Sequence, residues 1–299
     1  MNIIIGSRGS KLALAQSRLV INKLKQAYPM HDYEIKVIKT RGDRILDRPL
    51  DQIGEKGVFT QEIENALLSG EIDLAVHSMK DMPSVCGEGL MFVGTIPAED
   101  NRDCLILNHG LTRLEDLPLG ARIGTGSKRR AFQLKKLRDD LKIVNIRGNV
   151  ETRLAKMESE DLDGIVLAAA GLKRLNLADR ISTYFSYDQM VPACAQGCLA
   201  LQIKEGAYIQ KLLSTITDPL ATLKMELERL FLLQVEGSCH IPVGAAAIIQ
   251  DETVSFYAVL GDEDGKTLIQ THRTFPLDNA TFEITTLAMN MKKRIDAHV

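Results

Sequence analysis

Two segments of the chain, IGSRGSKLAL over 5–14 and IGTGSKRRAF over 123–132, place glycine, hydroxyl and cationic residues where a short apolar run gives way to a helical pattern. Free N–H groups at a helix start, with the helix dipole behind them, favour an anion. Ser7, Arg8, Ser10, Thr125, Ser127, Arg129 and Arg130 add donors, so a carboxylate or phosphate fits. Neither segment is a nucleotide signature: G-x-x-x-x-G-K-[ST] is absent, and Arg129 stands where a loop beginning at Gly124 needs its third glycine. Taken singly, either block reads as ordinary helix capping with solvated arginines; two copies favour the anion. Arg41, Arg147, Arg153 and Arg174 extend the cationic set, and the planar guanidinium fork suits bidentate carboxylate binding if these residues converge.

Asp81 follows the apolar run DLAVHSM and precedes Met82-Pro83. A carboxylate at a strand end can act as a general acid or balance a developing cation; the plainer reading is a turn aspartate restrained by Pro83. Lys80 beside it would keep the carboxylate ionised. Cys239 lies in EGSCHIPVG, directly after a helical stretch whose negative dipole end disfavours a thiolate. It is a poor activated nucleophile, yet a carbocation-like electrophile could alkylate it; an inert thiol is the plainer reading. Cys194 and Cys198 have a C-x-x-x-C spacing without a second pair, so no metal site is expected.

The elements that must position these residues show an internal repeat. Besides the first pair of blocks, KVIKTRGD (36–43) matches KIVNIRGN (142–149), and EIDLAVHSM (71–79) matches DLDGIVLAA (161–169), in the same order. Three blocks in register predict two similar αβ lobes. A helix over 59–68, capped at Ser69-Gly70, followed by a strand over 72–76, gives the helix, turn and strand order of parallel α/β sheets. Pro97–Asp100 is a candidate crossing into the second lobe, 191–193 a candidate return, and 199–203 a strand handed back to the first lobe. The tail differs: Asp218-Pro219 starts a helix that ends by Gly237, then TVSFYAVL and KTLIQTHRTF flank the turn GDEDG, and a last helix begins at Phe282. The expected fold class is α/β, with two lobes around a cleft and a smaller α+β C-terminal domain. The expected division is 1–97 with 198–216, then 101–191, then 219–299.

With 299 residues, 45% hydrophobic, the chain can bury two or three cores, and its net charge of −2 gives no overall field for nucleic acid or an anionic membrane. Five cysteines spread through a chain of this length read as reduced thiols rather than a disulfide framework. No leader pattern precedes Gly6 and no apolar run approaches the roughly 20 residues of a membrane span. A cytoplasmic location is expected, with neither nucleic acid nor membrane as partner.

The assembled motifs closely resemble the porphobilinogen deaminase (hydroxymethylbilane synthase) family. The resemblance is carried by IGSRGSKLALAQS (5–17), IKTRGDRILD (38–47), GEKGVFTQEIENALLSGEIDLAVHSMKDMP (54–83), IGTGSKRRAFQL (123–134), NIRGNVETRL (145–154), LAAAGLKRL (167–175) and EGSCHIPVG (236–244). It implies three domains, the first two like the lobes of periplasmic binding proteins. It also implies a transferase of tetrapyrrole (heme, chlorophyll, corrinoid) biosynthesis that condenses four porphobilinogen molecules head to tail, releasing ammonia at each step and then hydroxymethylbilane. The primer is a dipyrromethane cofactor, one per chain, held as a thioether by the cysteine matching Cys239. Asp81 matches the catalytic aspartate. By matched position, Ser78, Lys80, Lys56, Thr125, Ser127, Arg129 and Arg130 should bind the cofactor. Arg8, Ser10, Arg147, Arg153 and Arg174 should bind substrate carboxylates, and Phe59 should pack near the pyrroles. A monomer that hands its product to the next enzyme is expected. The chain departs from the family pattern at Gln52, where lysine is common, at Ala195-Gln196-Gly197-Cys198, which replaces GQGA, and at Gln202, where glutamate is frequent. The rival from another class is a non-catalytic two-lobed protein that binds a small anion.

Overall fold

The computed structural model describes residues 1–44, 60–108, 110–235 and 241–297. Contacts group Met1–Ala98 with Cys198–Leu223, and Glu99–Gly197 with Lys224–Val299. The first unit opens with β1 (Asn2–Ser7), whose isoleucines suit a buried strand. Ser10 caps α1 (Lys11–Ala27), its Oγ accepting the Ala13 N–H at 3.2 Å, and Val20, Ile21 and Leu24 form the buried stripe of that helix. Next come β2 (Asp32–Val37), α2 (Arg41–Arg44), α3 (Gln61–Leu68), β3 (Leu74–Ser78) and β4 (Leu90–Phe92).

The second unit begins with β5 (Asp103–Leu107) and β6 (Arg122–Gly124), then α4 (Lys128–Leu137), β7 (Lys142–Val144) and α5 (Val150–Ser159). It continues through β8 (Gly164–Ala168), α6 (Ala169–Arg174) and β9 (Thr183–Tyr184). Back in the first unit, β10 (Leu199–Lys204) and α7 (Ile209–Leu213) follow.

Hydrogen bonding orders the first sheet β2-β1-β3-β10-β4 and the second β7-β6-β8-β5-β9. β1 runs parallel to β2 and β3, as β6 does to β7 and β8; β10 and β5 enter antiparallel beside β3 and β8. The repeated blocks therefore mark a repeated topology. The reversed strand lies outside them: each sheet takes, antiparallel, the first strand formed after the chain crosses between units. A sheet parallel throughout, as the helix, turn and strand order suggested, does not form.

The repeats also share their locking contacts. Asp73 Oδ2 accepts the Ile4 N–H at 2.8 Å, and Asp163 Oδ2 accepts the Arg122 N–H at 2.7 Å, tying each central strand to its parallel neighbour at matching positions. Further along, β1 and β6 carry Gly6 and Gly124. A Cβ on Gly124 would sit 2.9 Å from Ile146, Leu162 and Ile165 side chains, and one on Gly6 would collide with Ile72. One face of the first sheet packs Leu74, Val76, Leu199, Leu201 and Ile203 against α1 and α7; each such burial contributes about 1.5–3 kcal/mol. The opposite face lies under α3, with Ala75 against Ile63 and Leu67.

α8 (Pro219–Gln234) starts at the expected cap, Asp218 Oδ1 accepting the Ala221 N–H at 2.8 Å. β11 (Val243–Gln250), β12 (Thr253–Gly261) and β13 (Leu268–Pro276) form an antiparallel meander, and α9 (Ala280–Asp296) lies on it with Ile284, Ala288, Met291 and Ile295 buried. The strand β11 was not expected. VGAAAIIQ is rich in alanine and lacks alternation, so its state is set by pairing with β12 over its whole length. This sheet belongs to the second unit, where Tyr257 meets Tyr187 with ring centroids 5.2 Å apart and Gln270 Nε2 donates to Asp188 O at 2.7 Å.

Segment 191–197 is held throughout the second unit. Gly197 has φ +89°, and a Cβ there would collide with the Glu99 carbonyl, so no other residue fits. Ala195 has φ +58°, unusual for a residue with a Cβ, and its N–H is donated to Glu228 of α8 at 2.6 Å. The same carboxyl accepts the Ala247 N–H of β11 at 2.9 Å. Burial pushes the Glu228 carboxyl up to about 8 in spite of these bonds. As pH rises from 4.5, its ordinary value, towards 8, the unfolded chain sheds this proton while the fold keeps it, so stability falls across that window. Denaturation midpoints measured from pH 5 to 8 should show this decline, and Glu228→Gln should flatten it.

Candidate active site

β1 and β3 are parallel neighbours, so the loops leaving their C-terminal ends lie side by side. One carries Arg8 and Ser10; the other begins at Ser78 and turns through Met79–Asp81. Gln16 of α1 links the two by donating Nε2–H to Ser78 Oγ at 2.9 Å. Within the turn, Met79 and Met82 are buried, the Met79 N–H is donated to Cys198 O at 3.1 Å and the Met82 N–H to Met79 O at 3.0 Å. With both methionines inward, the intervening Lys80 is half-buried and Asp81 is exposed. The structure thus brings Arg8, Ser10, Ser78, Lys80 and Asp81 to one edge of the first lobe.

The second lobe repeats the arrangement after β6 and β7. The Thr125 N–H is donated to Val144 O at 2.9 Å, and a Cβ on Gly126 would lie 2.8 Å from the Ile146 carbonyl, so these two loops are pressed together. Ser127 caps α4, accepting the Arg130 N–H at 3.5 Å, and Thr125 Oγ1 accepts the Ser127 N–H at 3.2 Å. Asn149 caps α5, and Arg153 is tethered by Nε donating to Gly148 O at 2.8 Å. Arg147 lies between, half-buried. Thr125, Ser127, Arg147 and Arg153 therefore share one edge.

The remaining arginines are placed differently. Arg129 and Arg130 are 5% and 4% exposed and converge on Asp103 at the start of β5. Arg129 Nη1 donates to Asp103 Oδ2 and to Val191 O, both at 2.6 Å. Arg130 donates Nε and Nη2 to Asp103 Oδ1, at 3.0 and 2.7 Å, and Nη1 to Val166 O at 3.0 Å. Gln196 Nε2 completes the set on Asp103 Oδ1 at 3.0 Å. Burial opposes charge on Asp103, but the Arg129 and Arg130 charges outweigh it and hold the carboxyl well below the usual carboxylate range. Two guanidiniums around one carboxylate leave a surplus positive charge in a dry site. Arg174 Nη2 reaches the Gly197 carbonyl.

Residues 3–210 match the family model described as porphobilinogen deaminase, dipyromethane cofactor binding domain, and residues 222–293 match that of the porphobilinogen deaminase C-terminal domain. The chain belongs to the porphobilinogen deaminase family. The porphobilinogen deaminase of Clostridioides difficile (strain 630) is 51% identical over 270 residues, covering 90% of each chain. That of Clostridium novyi (strain NT) is 50% identical over 274 residues, covering 90% of this chain and 91% of its own. Among solved structures, the methionine binding protein MetQ aligns over 76% of this chain and 94% of its own, with a TM-score of 0.48 and 12% identity.

The porphobilinogen deaminase motifs at Lys56, Phe59 and Cys239 fall outside the described residues, as does Gln52. The four described cysteines, Cys86, Cys104, Cys194 and Cys198, are free thiols, all buried except the half-buried Cys86. Burial pushes the Cys104 thiol up to about 12 and raises Cys194 as well, so neither forms the thiolate that nucleophilic attack needs. Asp103 and Gln196 had no signal in the sequence: neither lies in an anion-binding pattern, and only the packing shows them holding two of the arginines. No described helix is long and apolar enough to cross a membrane.

Removing the charge of Asp103 would leave Arg129 and Arg130 buried without their carboxylate. Asp103→Asn should cost about 3–5 kcal/mol, read as a lower urea midpoint with an unchanged slope.

Proposed function

We propose that the chain joins four porphobilinogen molecules head to tail, releasing ammonia at each addition and hydroxymethylbilane at the end, with Asp81 as its catalytic group and Cys239 as the covalent anchor. The reading rests on one observation above others: each lobe gathers hydroxyls, N–H groups and guanidiniums on the loops at one edge of its sheet. Porphobilinogen bears an acetate and a propionate, so every addition brings two more negative charges. A chain with net charge −2 can hold such a product only by concentrating its cations locally.

The donor chemistry fits a group with several carboxylates. Dipyrromethane, held as a thioether by Cys239, supplies the primer to which pyrroles are added. Ser78, Lys80, Lys56, Thr125 and Ser127 would hold its carboxylates by hydrogen bonds and charge. The surplus charge of Arg129 and Arg130 beside Asp103 supports a carboxylate near them. Arg8, Ser10, Arg147, Arg153 and Arg174 would take substrate carboxylates, with Phe59 against the rings. Asp81 assists departure of the amino group and balances the positive charge that forms on the pyrrole nitrogens. Its exposure, between two buried methionines, supports that role. Cys239 needs no activation, because the carbon it captures is itself strongly electrophilic. In this reading the chain has three domains, 1–97 with 198–216, 101–191 and 219–299, and works as a cytoplasmic monomer that releases its product to the next enzyme of the tetrapyrrole route.

Intact mass spectrometry of protein purified from a porphyrin-making host should exceed the sequence mass by one dipyrromethane, and Ehrlich's reagent should colour it. Cys239→Ala should abolish the increment while replacement of Cys86 or Cys104 keeps it. Asp81→Ala should retain both fold and increment while kcat falls about 10²–10⁴-fold. An unmodified, colourless wild type, or near-normal turnover in Asp81→Ala, contradicts the assignment.

A further inference from the structure

Behind the Asp81 turn, on the face of the first sheet that packs under α3, lies a buried polar group that the reading above does not use. His77 is on β3, directly opposite Ala200 of β10, while Gln202 lies opposite Ala75. Side chains opposite one another in an antiparallel pair share a face, so His77 and Gln202 are diagonal neighbours on one side of the sheet, with Ala75 and Ala200 completing their pairs and Phe92 of β4 opposite Gln202 on its other side. His77 is 7% exposed and Gln202 fully buried. The Gln202 amide is oriented from one end: Nε2 donates to Glu64 Oε1 of α3 at 2.9 Å and to Cys86 Sγ at 3.5 Å. Its Oε1, and the Nε2 of His77, are both buried without a hydrogen-bond partner among the described residues.

Two unsatisfied buried groups side by side, one an acceptor and the other able to donate, are expected to pair, since each left alone costs about 1–3 kcal/mol. Pairing selects the imidazole tautomer with its proton on Nε2. The charged groups around the pair are Arg8, from the loop after β1, and Glu64 of α3. Burial above all, and then the Arg8 charge, push His77 down to about 4, although Gln202 favours its protonation. The ring is therefore neutral where Arg8 is charged.

We propose that His77 is a positioning residue for Asp81: its uncharged imidazole donates Nε2–H to Gln202 Oε1, and the amide, anchored on Glu64, fixes the last rungs of β3 from which Ser78, Lys80 and Asp81 project. The rungs concerned are His77 against Ala200 and Ser78 against Leu199, immediately before the turn. A strand end loose by even a fraction of an ångström would move a catalytic carboxylate by more than its reaction tolerates. The inference rests on Asp81 being the catalytic group, a premise tested separately by Asp81→Ala.

Three measurements on the cofactor-loaded protein test it. Histidine ring NMR on the wild type at pH 6 should show His77 neutral with its proton on Nε2; a ring that is charged there, or protonated on Nδ1, overturns the proposal. His77→Phe, which leaves Gln202 Oε1 unmatched, should lower kcat about tenfold with KM within about twofold, and His77→Gln, which keeps a neutral donor, should recover kcat to within about threefold of wild type. Wild-type kcat in His77→Phe, or a His77→Gln variant as slow as His77→Phe, overturns it. Gln202→Glu should place a carboxylate opposite the ring and raise the His77 titration seen by NMR by at least about one pH unit; an unmoved titration would show that the two side chains do not meet. If Asp81→Ala turns over normally while the His77 ring behaves as described, the premise has failed and the hydrogen bond stands.

Discussion

In both lobes one aspartate carboxylate, Asp73 or Asp163, takes a backbone N–H of β1 or β6 and so sets the alignment of that strand with its parallel neighbour, β3 or β8. A slip of one residue would turn every side chain of that strand to the opposite face. It would also drive the β carbons of neighbouring residues into the space that Gly6 and Gly124 leave open for Ile72 and Leu162. Because the alignment holds, the C-terminal ends of β1 and β3, and the loops that follow β6 and β7, come out at fixed levels. The donors on those loops inherit their placement from this register, which two carboxylates and two glycines set.

The duplication could be read in advance because it is periodic: three short blocks in the same order need no knowledge of packing. The reversed strand in each sheet could not, since nothing local in Asp103–Leu107 or Leu199–Lys204 tells parallel from antiparallel; only the pairing with β8 and β3 shows it. β11 failed for a related reason, its alanines stating no preference until β12 pairs with them. The arginines are the clearest limit. Arg129 and Arg130 look like Arg147 and Arg153 in sequence, yet the first two are buried on Asp103 while Arg147 sits half-buried on a loop and Arg153 half-buried in the first turn of α5. Sequence states residue type and spacing; it does not state which guanidinium already has a carboxylate of its own.

In the proposed function the two classes of arginine divide the work of holding a polyanion. Loop arginines can exchange water for a ligand carboxylate at modest desolvation cost, and their number sets how much charge an edge can accept. The buried pair is organised by Asp103 and also ties Val191 into place, while Gln196 joins the same carboxylate from the next turn of the segment. Segment 191–197 is thereby held by side chains from β5, α4, α6 and α8 within its own unit. Ala195 keeps a left-handed backbone there despite its β carbon, its N–H taken by Glu228.

The four described thiols are withdrawn from water or nearly so, and burial keeps Cys104 and Cys194 in the protonated form. A catalyst that generates carbon electrophiles at every turn of its cycle is exposed to its own chemistry, because a sulfur nucleophile in the wrong place would trap the reactive carbon irreversibly. Sheltering the bystander sulfurs removes that competition. Selective attachment to a single cysteine can then arise from the silence of its rivals rather than from any special reactivity of the one that is used.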